Sequence, residues 1–434
     1  MGTVTFFILL ALEAALLVWA ISSRNEHRKE RGLIRIASLI LFAILAFAGI
    51  YKWGFQYVPL LLLLVIQAIA GIIVLVKAKD KNYSKGRTIW RGIRNSIILF
   101  IVLIPAIIFP QYKQPVSSGA HEVMTTKYTW IDNNRTDEFP DEAAGRKLTV
   151  EFWYPDASSE EQAYPLVVFS HGAFGFSGSN YSTFAELASN GYVVASIGHT
   201  HQAFFTSDVD GNVTIVDSDF INEASRINAV HDTGNDEEIY HTTSGWMKLR
   251  TDDENFVIDK IIELNASDPD SRLLPMIDIE HIGLMGHSLG GASSAQVGRE
   301  RSDIDAVIVL DGTMLGEEVD FQNGSVILNN APYPVPLINI YAEDHYENAV
   351  KYDGESYNNF HATHNAADAY ETVVAAAGHL NFTDLPLFSP TLARVLGTGT
   401  VDELRCINIM NEVVLEFFDS YLKNDGVPDI QARY

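Results

Sequence analysis

Two patterns of apolar positions divide the chain: four long runs crowd the first 112 residues, and short runs broken by polar, glycine- and proline-bearing turns fill the rest. Residues 4–22, 33–51 and 57–76 are each close to the roughly 20 residues that a helix rising about 1.5 Å per residue needs to cross a hydrocarbon core. The fourth run, 93–109, is shorter and holds Pro105. A membrane helix tolerates such a proline, with a kink, when neighbouring helices satisfy the freed carbonyl. The pattern predicts four transmembrane helices over residues 1–112. No basic stretch precedes the first run and no small-residue cleavage site follows it, so a span is expected there and not a removable signal.

Residues 113–123 are polar, with Pro115, Ser117, Ser118 and Gly119, and read as a linker. Beyond them, strand patterns at 148–154, 166–169, 192–197, 282–285, 306–310, 337–341 and 371–376 alternate with helical spacing at 181–189, 252–264, 291–299 and 408–422. Near-continuous apolar strands alternating with helices predict an α/β domain over 124–434, a mostly parallel sheet with helices on both faces. The stretch 202–247 breaks the alternation. Asp210-Gly211 suggests a hairpin within 204–220, followed by a polar helical or irregular piece, so an insertion over one end of the sheet is expected. Asp208-Val209-Asp210-Gly211-Asn212 faintly matches a calcium loop, but the remaining ligand pattern is missing and a turn is expected. No internal repeat is visible.

Charge sharpens the division. The whole chain carries 30 Lys+Arg against 55 Asp+Glu, a net −25, which argues against a nucleic-acid partner. Residues 1–112 hold 13 basic and 4 acidic side chains, whereas the remainder holds 17 and 51. The basic residues of the front half collect in 24–35 and 77–94, with only Lys52 between the second and third runs, which places both basic loops in the cytoplasm and the acidic body outside. A plasma-membrane protein with an extracytoplasmic domain is expected. The one cysteine, Cys406, excludes a disulfide scaffold and a cysteine-rich zinc site. Glu13, in the middle of the first run, is either a functional carboxylate or one paired inside the helix bundle.

The strongest chemical signal is Gly286-His287-Ser288-Leu289-Gly290, placed after a strand and before a helix, as a nucleophile elbow requires. Small residues at 286 and 290 let strand and helix approach around the turn that presents Ser288. A serine hydroxyl needs a base, which in this architecture comes last in the chain; Gly378-His379-Leu380 after the last strand makes His379 the candidate. His345, His361 and His364 fall in polar loop sequence. The orienting carboxylate is Asp311, at the end of 306–310, with Asp344 (beside Glu343) after the next strand as the alternative. Ser170-His171-Gly172-Ala173-Phe174-Gly175 follows an early strand and offers the Ala173 N–H, with that of Leu289, as oxyanion donors. His171 is expected to shape that turn, and Phe174, Phe176 and Tyr181 either wall an acyl pocket or fill core.

In order along the chain, Phe152-Trp153-Tyr154-Pro155, the Phe169–Gly175 turn, Gly286-His287-Ser288-Leu289-Gly290-Gly291, Leu310-Asp311 and Gly378-His379-Leu380-Asn381-Phe382 resemble the plasma-type platelet-activating factor acetylhydrolase family and its bacterial dienelactone-hydrolase-like relatives. The resemblance spans about 145–425. It implies an α/β-hydrolase fold, Ser288 as nucleophile, Asp311 as acid, His379 as base, Ala173 and Leu289 at the oxyanion, no metal or other cofactor, and esterase activity on short or oxidised acyl chains. Gly312-Thr313-Met314 stands where the animal enzymes carry an aromatic Pro-Trp segment, and related polyester hydrolases take the acid from the later strand, the place of Asp344.

Six Asn-x-Ser/Thr sequons occur, at Asn134, Asn180, Asn212, Asn265, Asn323 and Asn381; glycans at Asn180 and Asn381 would obstruct the expected site, which favours a prokaryotic cell. The resulting expectation is a membrane-anchored serine ester hydrolase acting on lipid-type or short-acyl esters through an acyl-enzyme. An acyltransferase or thioesterase with the same triad, and a non-catalytic membrane sensor, are the rival readings.

Overall fold

A computed structural model of the chain describes residues 1–77, 83–136, 145–156, 163–231, 236–267, 271 and 273–434. Two compact units emerge: Met1–Lys113 together with Leu387–Val395, and Gln114–Pro386 together with Leu396–Tyr434. The division is therefore not a single cut after residue 112, because a short stretch near the C-terminus groups with the front half.

The first unit holds helices α1 (Gly2–Ser22), α2 (Arg28–Phe47), α3 (Val58–Lys77) and α4 (Lys85–Ile108). Among the described residues three helical segments, Gly2–Ser22, Phe55–Lys77 and Lys85–Ile108, are long and apolar enough to cross a membrane. The expectation of four is corrected at α2. Its first turns absorb the basic loop, so every 18-residue stretch of it keeps at least three of Arg28, Lys29, Glu30, Arg31 and Arg35. Phe42, Tyr57, Leu60, Leu64, Leu99, Leu103 and Ala106 form the apolar centre. Glu13 is paired inside the bundle: Asn95 Nδ2 donates to it at 3.2 Å and Arg35 Nη2 lies 3.6 Å away. In the same unit the Ser389 hydroxyl donates to the Ile108 carbonyl at 2.8 Å.

The second unit is built on an eight-stranded sheet. Its strands are β1 (Val123–Asp132), β2 (Arg146–Pro155), β3 (Tyr164–Ser170), β4 (Val193–Gly198), β7 (Ile277–His287), β8 (Ala306–Leu310), β11 (Leu337–Ala342) and β12 (Ala369–Val374). Small hairpins interrupt the series: β5 (Phe205–Ser207) with β6 (Val213–Ile215), and β9 (Glu318–Gln322) with β10 (Ser325–Leu328). The spatial order is β1-β2-β4-β3-β7-β8-β11-β12. The pairs from β4 to β12 are parallel, whereas β1 and β2 run antiparallel. β3, β4, β8 and β11 are buried along their whole length, as strands covered on both faces must be. Within the eight-stranded sheet, the antiparallel edge β1 had no counterpart in the pattern; it begins at the last residue of the expected linker, and its middle is the unbroken run Thr125-Thr126-Lys127-Tyr128-Thr129.

Around the sheet lie α5 (Tyr181–Ser189), α6 (Ser218–His231), α7 (Asp236–Ser267), α8 (Leu289–Glu300), α9 (Glu343–Asn348), α10 (Asn358–His364) and α13 (Glu403–Leu422), whereas α11 (Leu385–Phe388) and α12 (Pro390–Leu396) overlap the stretch that groups with the first unit. The expected insertion holds the β5–β6 hairpin, but residue 247 is no boundary: α7 runs unbroken for 32 residues from the polar piece into the expected helix 252–264. The Asp208 carboxylate accepts from the Asp210 and Asn212 amides at 3.0 and 2.8 Å and from Asn212 Nδ2 at 2.9 Å, so its oxygens close a hairpin turn.

Candidate active site

β7 delivers Ser288 at the carboxyl rim of the sheet, and α8 begins at the next residue. Ser288 has φ 55° and ψ −125°, a strained conformation for a residue with a side chain. Glycine on either side makes it possible. A Cβ at Gly286 would meet the Gly290 carbonyl at 2.2 Å, and one at Gly290 would meet the Ser170 carbonyl oxygen at 2.0 Å. The Ser288 N–H is held by the Leu310 carbonyl at 3.0 Å, which ties the elbow to the end of β8.

Asp311 leaves β8 with φ 49° and its own N–H bound to the Ile340 carbonyl at 2.8 Å. Its Oδ1 accepts from the Ala342 amide at 2.7 Å, and its Oδ2 accepts from His379 Nδ1 at 2.7 Å. Burial pushes this carboxyl up, but the hydrogen bonds from His345 and His379 outweigh it and hold Asp311 well below the usual carboxylate range. It is an anion aimed at His379. Asp344, the alternative, is exposed and its Oδ1 accepts from the His345 amide at 3.0 Å in the first turn of α9. Glu343 instead accepts from the Ala376 amide at 2.8 Å.

His379 opens a short 3-10 turn, His379–Phe382, beside the elbow. His287 Nε2 lies 3.0 Å from the His379 carbonyl, and the two rings are 4.6 Å apart. Burial first, then the neighbouring His379, lowers His287 to about 3, so it stays neutral. No hydrogen bond joins Ser288 to His379 among the described residues; nucleophile–base contacts in free enzymes are often long and close only with substrate. His361 Nε2 meets the Asn329 carbonyl at 3.0 Å and His364 Nδ1 meets Glu355 at 2.9 Å, both away from Asp311. His345 is not a bystander loop residue: its Nδ1 reaches Asp311 Oδ2 at 2.8 Å.

The turn after β3 lies against Ser288. A Cβ at Gly172 would sit 3.1 Å from Ser288 Cβ. Among the described residues the Ala173 amide has no backbone acceptor, and the Leu289 amide is the first of α8 and has none within its helix. His171, wholly buried, donates from Nδ1 to the Gly172 carbonyl at 2.7 Å and accepts the His199 amide at Nε2 at 3.3 Å, so it shapes the turn. Phe174 has φ 59° and its N–H binds the Gln202 carbonyl at 3.2 Å.

A buried polar layer beneath this turn was not read from the sequence. Arg250 donates to the His171 carbonyl at 2.6 Å, the Gly172 carbonyl at 3.4 Å and Gln202 Oε1 at 2.5 Å. Burial lowers Arg250 to about 9, with Asp253 and Glu254 opposing. Asp253 binds His199 Nδ1 at 2.9 Å, and His199 Nε2 accepts from the Ser170 hydroxyl at 2.8 Å. Glu254 is bonded to Ser293, and to Ser294 at 3.2 Å, on the helix that starts at the elbow.

Beside the Ala173 and Leu289 amides, Phe220, Met247, Leu289 and Ala292 form a small apolar cluster with Ala173, Val216, Trp246 and Leu315 packed against it. Phe174 packs on Phe220 at 5.0 Å and Phe176 stacks on Phe205 at 5.5 Å, whereas Tyr181 meets Trp153 at 6.1 Å. The first two face the insertion and the third joins the sheet's cover. Asn180 and Asn381, wholly or almost wholly buried, are spoken for as well: Asn180 Nδ2 donates to the Phe382 carbonyl at 2.6 Å, and Asn381 Oδ1 accepts from the Gly378 and Gly399 amides at 2.9 and 2.7 Å. Neither can carry a glycan in the folded chain.

Asp311, His345 and His379 have the composition of a metal site, with donor atoms within 4.8 Å of one another. The N···O separations of 2.7 and 2.8 Å are those of N–H···O bonds. Ligands around one tetrahedral ion with bonds of about 2.0–2.1 Å stand roughly 3.3 Å apart. The group is a hydrogen-bonded carboxylate, and its spacing does not fit an ion.

A platelet-activating factor acetylhydrolase from Canis lupus familiaris is 24% identical over 283 residues, covering 60% of this chain and 58% of its own length. The Cavia porcellus enzyme of the same name is 24% identical over 277 residues, covering 61% and 59%. The chain thus spans somewhat under two thirds of these relatives. A ferulic acid esterase from Streptomyces cinnamoneus superposes with a TM-score of 0.56 at 24% identity, covering 73% of this chain and 95% of that one, and shares the fold. Residues 147–428, well over half of the chain, match the family described as platelet-activating factor acetylhydrolase, isoform II, and the chain belongs to that family.

Proposed function

We propose that this protein is a membrane-anchored serine carboxylic ester hydrolase that acts on lipid-type or short-acyl esters. The single observation that carries the reading is the 2.7 Å bond from His379 Nδ1 to a buried, anionic Asp311, beside a strained Ser288. His379 takes the Ser288 proton as Oγ bonds to the ester carbonyl carbon. The Ala173 and Leu289 amides receive the negative oxygen. Collapse of that intermediate breaks the bond to the alcohol, which leaves with the proton from His379. Water, deprotonated by the same imidazole, then releases the acid and restores the serine. Asp311 holds the ring and stabilises the imidazolium in both halves.

The names of the relatives point to phospholipids bearing a short acyl group, and the aromatic wall of Phe174 and Phe220 beside the amides suits an acyl chain. Tethering to apolar helices concentrates lipid-derived esters near the site. A fluorophosphonate probe tests the reading: full-length protein in detergent should be labelled, and Ser288→Ala should abolish labelling. Folded protein that resists the probe would exclude it. Nitrophenyl esters of graded length, beside lysophospholipid and oxidised phospholipid, then rank the substrates.

A further inference from the structure

Asp311 Oδ2 accepts from two imidazoles, His379 Nδ1 at 2.7 Å and His345 Nδ1 at 2.8 Å. A base needs only one of them. The second histidine is delivered by the first turn of α9, directly after Ala342, whose amide holds the other oxygen of the same carboxylate at 2.7 Å. One chain segment thus fixes both oxygens. The His345 ring lies 5.3 Å from that of His379, and its side chain is 45% exposed against 31% for His379, so protons reach it freely.

Resting on the assignment of Ser288, Asp311 and His379 above, we propose that His345 is a positioning residue. It locks the Asp311 carboxylate and takes up the proton which that anion attracts, so that the charge need not fall on His379. The charge balance is simple. A proton on His345 makes a cation beside the carboxylate, and a second cation on His379, ring to ring with the first, is disfavoured. The hydrogen bond to Asp311 raises the proton affinity of His345 above that of an ordinary histidine, against an opposing effect of burial. The groups around the pair are consistent with this. His287 is neutral, Asp344 adds negative charge, and Glu343 and Glu347 are engaged by Arg433.

The test uses two substitutions in full-length protein. Asn at 345 places an amide N–H near the position of the histidine Nδ1 but cannot ionise; Phe supplies neither donor nor charge. The rate constant of fluorophosphonate labelling is measured from pH 5 to 9. The acid limb should move upward by about half to one pH unit in both His345→Asn and His345→Phe. The plateau rate should be largely retained by His345→Asn and fall about tenfold or more in His345→Phe. A midpoint that stays in place in the folded His345→Asn protein overturns this inference alone. Absence of labelling in the wild type at every pH overturns the nucleophile assignment, and this inference with it.

Discussion

Arg146 and Asp253 form a two-armed ion pair with both side chains wholly buried, Nε to Oδ1 at 3.0 Å and Nη2 to Oδ2 at 2.8 Å. Desolvation works against both charges, and the pair persists because the carboxylate is also bonded by Arg135 and His199. Removing one partner leaves the other charged in a dry interior. Arg146→Met is therefore expected to destabilise the hydrolase unit by about 3–5 kcal/mol, read as a fall in the thermal midpoint of the full-length protein in mild detergent. A midpoint within a degree of wild type would show that the pair carries no such strain.

Arg250 reaches the proposed oxyanion turn through the carbonyls of His171 and Gly172, and on that assignment it should act on catalysis without touching substrate. Its replacement by Lys keeps a charge but loses the fork that binds both carbonyls and Gln202. We expect kcat to fall about 10- to 100-fold with KM little changed, a smaller effect than the 10²–10³-fold loss typical of deleting an oxyanion donor. Steady-state kinetics on a nitrophenyl ester separates the two constants; a change confined to KM would count against this role.

Burial lifts Glu254 to about 7, opposed by its hydrogen bonds to serine side chains. An ordinary glutamate titrates near 4.3. As pH rises from about 4.5 to 7, the unfolded chain sheds this proton while the folded chain keeps it, so stability declines over that window and levels off above it. The cost is on the order of 3 kcal/mol at most. Glu254→Gln should remove it. The difference in thermal midpoint between variant and wild type should grow in the variant's favour from pH 4.5 to 7; a difference that is flat with pH would refute the assignment.

Glu13 links α1 to α2 through Arg35 and to α4 through Asn95. Glu13→Ala should loosen the helical unit by about 1–2 kcal/mol, with Glu13→Gln intermediate because an amide can still bond Asn95. Thermal stability followed by size-exclusion in detergent measures the order of the three proteins, and equal stability would mean that the contact is incidental.

Much of the hydrolase unit was readable because buried parallel strands are apolar throughout. Strand 306–310 and helix 181–189 coincide residue for residue with their patterns. The support layer was not readable, for a definite reason. The buried face of α7 includes Arg250, Asp253 and Glu254, and hydropathy assigns such residues to solvent unless their partners are known. Those partners come from β2, from the turns that follow β3 and β4, and from α8, far away in sequence. His345 was hidden in the same way. Its meeting with Asp311 depends on Leu310 lying opposite Ile340 in the β8–β11 register, which polar loop sequence does not announce. By contrast, the β9–β10 hairpin was signposted by Asn323-Gly324, both at positive φ, and was overlooked.

The grouping of Leu387–Val395 with the front half has a practical bearing on how the enzyme can be studied. A gene trimmed to begin at residue 114 would strand this stretch, depriving Ser389 of the Ile108 carbonyl only ten residues downstream of His379, the proposed base. Poor yield or weak turnover from such a soluble fragment would then report a frayed loop and not a defective triad, and the intact polypeptide in a lipid mimic is the proper reference.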